Sequence, residues 1–174
     1  YTHPDSFPLL WKYRLTQTVV DYPYAQSLNA CRKKVQVHLK IDTGMHRLGI
    51  RSDHIEEISR IFQMDNLLVD GIYTHLCVSD SMTAADREFT YQQANAFYTL
   101  LEKLSERGIS CPNIHLSASY GLIHYPEFPS NYARIGIALY GMLSSRQDEE
   151  NCSIPLFPVL SVKARVSSVK IGRA

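Results

Sequence analysis

Charge of one sign is what this sequence most plainly lacks. Eighteen Lys and Arg stand against seventeen Asp and Glu in 174 residues, a formal net charge of +1. Interspersed charges of both signs make no field that would hold a polyanion, so neither nucleic acid nor an anionic membrane is expected as a partner. Cysteine is sparse and scattered: Cys31, Cys77, Cys111 and Cys152 form no Cys-x-x-Cys pair, which argues against a zinc centre or a disulfide framework. No metal is expected, and reduced thiols fit a cytoplasmic setting. Apolar runs long enough to span a bilayer, about 20 residues, are absent. So are internal repeats, low-complexity tracts, an initiator Met and any signal-peptide character at Tyr1-Thr2-His3-Pro4. The beginning reads as a chain entered partway through. What is present is apolar material, 45% of residues, enough for a soluble globular core.

Element types alternate along that core-forming chain. Pro4 to Tyr13 predicts a short helix, Leu15 to Val20 a strand, Tyr22 to Lys33 a helix and Val35 to Ile41 a strand. Ile55, Ile58, Ile61 and Phe62 at helical spacing predict a helix over Asp53 to Phe62, with Ser52 or Asp53 as its N-cap. Val69 to Leu76 is a predicted strand, and Ala84 to Arg107 a long helix closed by Gly108. Asn113 to Ser119 reads as a strand, Tyr120 to Tyr125 as a helical turn and Ala133 to Tyr140 as a last strand. Strands separated by helix-length crossovers give a parallel α/β sheet, which a doubly wound sheet and a (β/α)8 barrel satisfy equally. A full barrel needs about 250 residues, so these units would form its later part. Residues 1–145 are therefore expected to be a partial barrel, 146–157 a polar linker, and 158–174 the first strand of a C-terminal β domain, with Val159 to Lys170 alternating in polarity.

Strand parity locates the chemistry. Side chains alternate across a strand, so His38, Lys40 and Asp42 share one face and Val37, Leu39 and Ile41 the other. Taken alone, that polar face fits a solvated edge or a structural ion pair as well as it fits a site. The other strands repeat the pattern: His75 shares a face with Gly71 and Tyr73, His115 with Ser117 and Ser119, and Arg134 with Gly136. Ligands of parallel α/β folds bind at the carboxyl ends of the strands. Lys40, His75, Ser119 and Arg134 all fall there, which points to an active site. His38 and His115 are read as hydrogen-bonded structural residues, and His54 and His124 as solvated. A hydroxyl at Ser119 with backbone N–H groups at Gly136 and Ile137 suits a phosphate monoester.

Four motifs in order, Lys40–Gly49 (KIDTGMHRLG), Gly71–His75 (GIYTH), His115–Gly121 (HLSASYG) and Ala133–Gly141 (ARIGIALYG), resemble the alanine racemase family. These are pyridoxal-phosphate enzymes whose barrel is followed by a β domain. The Ala-Ser-Tyr-Gly form of the third motif resembles the serine/alanine racemases of vancomycin-resistance clusters. The resemblance implies pyridoxal 5'-phosphate as cofactor and alanine or serine as substrate, with D-amino acids made for cell-wall peptidoglycan. It also implies a homodimer with a shared site and, for the resistance type, a membrane-tethered parent. Arg47 matches the arginine that contacts the substrate carboxylate and the cofactor's phenolic oxygen, a role suited to a guanidinium fork. Lys40 matches a lysine carbamylated in many members, where the carbamate holds that arginine. His75 matches the imidazole stacked on the pyridine ring, and Ser119, Gly136 and Ile137 match phosphate-binding positions. Arg134 matches the arginine facing the pyridine nitrogen.

Three departures qualify the match. Ala118 stands where many members carry Asn. The lysine that carries the cofactor belongs to the first barrel strand and the opposite-face tyrosine to the second domain, and neither is expected within these residues. The chain by itself is thus expected to bind cofactor weakly and not to turn over. A decarboxylase of the same fold class would place an acid opposite the pyridine nitrogen, against Arg134. A non-catalytic pyridoxal-phosphate carrier would lack the β domain, against the strand pattern after Pro158.

Overall fold

The structure, a computed structural model, describes residues 1–172. It divides into two compact units, one over residues 1–134 and one beginning at Ile135.

The first unit is built on strands β1 (Gln17–Val19), β2 (Val35–Asp42), β3 (Ile50–Arg51), β4 (Leu67–Tyr73) and β5 (Asn113–His115). All pairings are parallel and the main path runs β1-β2-β4-β5, with β3 attached to the end of β2 through Ile41↔Ile50 and Asp42↔Arg51. A doubly wound sheet reverses its order at a switch point. Here each neighbour along the path is the next crossover strand, so the sheet is an arc of a barrel. The helices are α1 (Phe7–Tyr13), α2 (Tyr22–Asn29), α3 (Ile55–Phe62), α4 (Ala84–Glu106) and α5 (Ser119–His124). Val37, Leu39 and Ile41 are fully buried on the outer face of β2, in one core with Ala25 and Leu28 of α2, Ile58 and Ile61 of α3, and Phe97 and Leu104 of α4. The hydrophobic effect thereby fixes which face looks inward. His38, Lys40, Tyr73 and His115 take that inner face.

Several expected elements are shorter or absent. Asn113 to Ser119 is a strand only as far as His115, because Arg134 offers just one further bridge, to Ala118. Beyond that bridge Ala133 to Tyr140 is not a strand: Ile137–Tyr140 forms a 3-10 turn, since among the described residues no ladder of neighbours satisfies an extended backbone there. Neither Ser52 nor Asp53 caps α3; His54 holds the position without a side-chain bond, and Asp53 is paired with Arg51 instead. The two-residue β3 carries no pattern long enough to be seen by periodicity.

In the second unit, α6 (Arg146–Glu150) is capped by Ser145, whose hydroxyl accepts from the Asp148 amide at 3.1 Å. It lies inside the expected linker. Residues 152–172 form no strand; the alternating pattern after Pro158 has no parallel or antiparallel neighbour among the described residues, and a single strand is not stable alone. The last two residues of the expected β domain, 173 and 174, lie outside the described residues.

Candidate active site

The inner face of the first unit carries a continuous polar cluster. Arg134 is at its centre. Its Nη1 is 2.6 Å from His115 Nδ1, and its Nη2 donates to the carbonyls of Thr74 (2.8 Å) and Leu116 (3.1 Å) and reaches His75 Nδ1 at 3.2 Å. The backbone amide of Arg134 donates to the Ser117 carbonyl at 3.0 Å, so the same short bridge that ends the sheet also places the guanidinium. Tyr73 lies under it, with the guanidinium carbon 4.9 Å from the ring centre, a cation–π distance. The Tyr73 ring stacks on His115 at 4.6 Å and 9° and its hydroxyl bonds Thr18 at 3.2 Å, which ties β1, β4 and β5 together beneath the cluster.

Guanidinium groups donate and never accept. His115 must then present a bare Nδ1 to Nη1, which assigns it as the Nε2–H tautomer; the two Nη2 hydrogens serve the Thr74 and Leu116 carbonyls, with His75 Nδ1 beside them. The His115 Nε2–H in turn donates to His38 Nδ1 at 2.9 Å, and the His38 Nε2–H faces the Asp70 carboxylate at 3.6 Å. A polar chain therefore runs from the carboxyl ends of the strands down the barrel interior to Asp70. Burial first, then the Arg134 charge, lowers both His75 and His115 to about 4, so the two rings are neutral at working pH.

Lys40 is 6% exposed, with Nζ donating to the Ile41 carbonyl at 2.6 Å and lying 5.7 Å from the Tyr73 ring centre. Burial, with Arg134 and Arg47 adding repulsion and Asp42 opposing them, lowers its amine to about 8. Asp42 organises the turn after β2: one carboxylate oxygen accepts from the Gly44 and His46 amides, both at 3.0 Å, and the other is 3.2 Å from His46 Nδ1. Burial raises the Asp42 carboxyl, but these bonds outweigh it and the net shift is downward. Arg47 is exposed on that turn and lines an open cavity of about 390 Å³ with Asp42, His46 and Gly49.

Lys40, His75 and Arg134 thus share one cluster, and Arg47 is near enough to act on Lys40 and His75 as a charge. Ser119, 4% exposed, begins α5; Ala118 before it has no side chain to cap the helix. Gly136 and Ile137 belong to the second unit, at the start of its 3-10 turn, where the Gly136 carbonyl accepts from Leu139 N at 3.0 Å. His115 and His38, expected to be structural, form the hydrogen-bonded chain behind Arg134, which Tyr73, Thr74 and Asp70 also join although no site role was expected of them. His115 had a signal, its shared face with Ser117 and Ser119. Asp70 had none, because a register shift between β2 and β4 puts it there.

With this geometry in hand, known proteins give a consistent comparison. Residues 1–144 match the model of the alanine racemase N-terminal domain. An amino-acid racemase of Enterococcus faecalis is 36% identical over 174 residues, all of this chain and 25% of that protein. A serine/alanine racemase of Enterococcus gallinarum is 34% identical over 98% of this chain and 24% of its own length. An alanine racemase of Carboxydothermus hydrogenoformans is 34% identical over 98% of this chain and 46% of its own. The structure of an alanine racemase of Clostridium difficile 630 in complex with cycloserine superposes with a TM-score of 0.81 at 30% identity, covering 91% of this chain and 44% of that one. The chain spans a quarter to a half of the length of these relatives, and it belongs to the alanine racemase N-terminal domain family.

Proposed function

We propose that the complete protein is a pyridoxal-phosphate-dependent racemase interconverting the L and D forms of alanine, serine or both, and supplying D-amino acids for peptidoglycan. The observation that carries this reading is the Arg134 cluster: a half-buried guanidinium held in place by neutral imidazoles and backbone carbonyls. Pyridoxal phosphate fits the donor set. Arg134 and Arg47 both act on the buried Lys40 as like charges, and Asp42 is already committed to its turn. An anionic cofactor and a carboxylate substrate relieve that excess.

When bound, pyridoxal phosphate supplies the electron-accepting ring that makes the substrate Cα–H acidic. Arg134 would face the ring nitrogen as a donor that, staying charged, cannot hand over a proton. Such a donor would leave less charge on the ring and so would favour racemisation over transamination. His75, neutral and held by Arg134, offers a flat face for stacking. Arg47 would take the substrate carboxylate; the Ser119 hydroxyl, and in the second unit the Gly136 and Ile137 backbone N–H groups, are each of a chemistry that suits the phosphate. Lys40, if carbamylated, would hold Arg47. No residue of this chain is assigned the proton transfers at Cα; a lysine and a tyrosine elsewhere in the complete protein take them, so residues 1–174 alone are inactive. The proposed organisation is a partial barrel over 1–145, a linker over 146–157 and the start of a β domain over 158–174, in a cytoplasmic homodimer with a shared site. No helix among the described residues is long and apolar enough to cross a membrane.

The test is a chirality assay on alanine and serine with the complete protein, followed alongside its absorbance on adding pyridoxal phosphate. A cofactor band and racemisation of at least one amino acid are expected. Decarboxylation, or both amino acids left unchanged, removes the reading.

A further inference from the structure

One fully buried side chain behind the site has all four hydrogen-bonding positions of its carboxamide engaged. Gln93 on α4 is 1% exposed. Its Oε1 accepts from the Cys77 amide at 3.0 Å and from the Cys77 thiol at 3.3 Å. Its Nε2 donates to the His75 carbonyl at 3.3 Å and lies 3.5 Å from Thr43 Oγ1. One residue thus grips the segment after β4 on both sides of Leu76 and touches the turn after β2. Thr43 is tied in as well, bonding Thr74 Oγ1 at 2.8 Å, while Thr74 Oγ1 donates to the Ile41 carbonyl at 3.0 Å.

A second contact on the same helix face reinforces the grip. Phe89 precedes Gln93 by four residues, so both side chains leave α4 on one side. They close on Gly44, whose φ is +133°: a Cβ there would sit 3.1 Å from Phe89 Cζ and 3.6 Å from Gln93 Cγ. The turn that carries Arg47 is therefore pressed against α4 at Gly44, three residues upstream. The His75 carbonyl is held against the same helix, which turns the imidazole away from α4 and toward Arg134.

We infer that Gln93 is a positioning residue that sets the His75 segment and the Arg47 turn at a fixed separation, so that ring stacking and carboxylate binding are offered to one cofactor–substrate pair. The inference rests on the functional reading above. It differs from a purely structural role, in which Gln93 would only satisfy buried backbone groups, because it requires the two segments to move together when the amide is lost. Misplacement of binding groups by about 1 Å lowers rates by up to about 100-fold.

The experiment uses the complete protein and three variants: Gln93→Met, which keeps bulk and removes every bond; Thr43→Val, which leaves Gln93 in place and removes one partner; and Leu104→Ala, a cavity in the fully buried end of α4. Affinity for pyridoxal phosphate is measured by titration, and amide exchange is followed at Cys77 and Gly44 in cofactor-free protein. The Met variant should bind cofactor roughly tenfold or more weakly and exchange faster at both amides. The Val variant should move the same way by less, while Leu104→Ala loses stability with cofactor affinity unchanged. If Gln93→Met binds like wild type, or its loss merely tracks that of Leu104→Ala, the positioning role is overturned and the racemase reading stands. Should wild type bind no cofactor, the functional reading falls; the exchange rates then decide the coupling, and an unchanged Gly44 amide in Gln93→Met overturns it. Were the Met variant not to fold, Thr43→Val decides, and wild-type affinity and exchange there count against the inference.

Discussion

Lys40 concentrates the electrostatics of the mouth in a single side chain. With its amine lowered to about 8 it is uncharged in roughly a tenth of molecules at pH 7, against less than a thousandth for an unperturbed lysine. A neutral amine is the form that attacks carbon dioxide, giving a carbamate and releasing a proton: R–NH2 + CO2 → R–NH–CO2− + H+. Arg134 and Arg47 repel the ammonium and would attract the carbamate, while the remaining N–H can still donate to the Ile41 carbonyl. Carbamylation of the complete protein should rise with pH as the amine deprotonates through about 8, read as a carbamate carbon signal after feeding 13C-labelled bicarbonate. Lys40→Arg should abolish that signal; a signal that persists in the variant, or never forms in wild type, contradicts the assignment. Sequence parity placed Lys40 on the polar face but left open whether it was solvated or paired. Only the geometry shows it buried among cations.

At the level of elements, the pairing of β2 with β4 decides how the barrel interior is filled. The register shifts between Val37 and His38, so Val37 faces Val69 while His38 faces Gly71 and Asp70 is the extra residue. The His38 ring then lies over Gly71: a Cβ at that position would be 2.8 Å from the ring and 2.9 Å from the Asn113 carbonyl. The ring could retreat only by giving up its bond to His115, and the carbonyl belongs to β5. Gly71→Ala should therefore lower stability by about 1–3 kcal/mol, as overpacking does, seen as a lower denaturant midpoint with an unchanged slope. An unmoved midpoint would mean that the register or the ring position is wrong. Eight-residue β2 was readable from its alternation because two full faces are sampled. Three-residue β5 and two-residue β3 sample too little, and the stretch from Ala133 has the polarity of a strand but only one bridge to hold it. α4 was readable to within a residue, from Thr83 capping its first turn to Gly108 past its end, because its apolar stripe recurs over many turns.

For the whole molecule, order along the sheet and order along the sequence coincide, and this separates a barrel arc from a doubly wound sheet where element counting could not. It also gathers at one end of the arc residues as far apart in sequence as Lys40 and Arg134. Parity and motif order in the sequence pointed to that end. The chain of tautomers from Arg134 to Asp70, and the hold of Gln93 on two segments, depend on distances between elements and leave no trace in any one of them.

The central claim is that Arg134 faces the nitrogen of the cofactor ring as a donor that cannot release its proton. Nitrogen-15 magnetic resonance of the complete protein loaded with ring-labelled pyridoxal phosphate tests it directly. An unprotonated pyridine nitrogen is predicted for wild type and a protonated one for Arg134→Glu, with the variant racemising more slowly and yielding more transamination product. A protonated nitrogen in wild type, or the same nitrogen signal and product ratio in both proteins, would contradict the account.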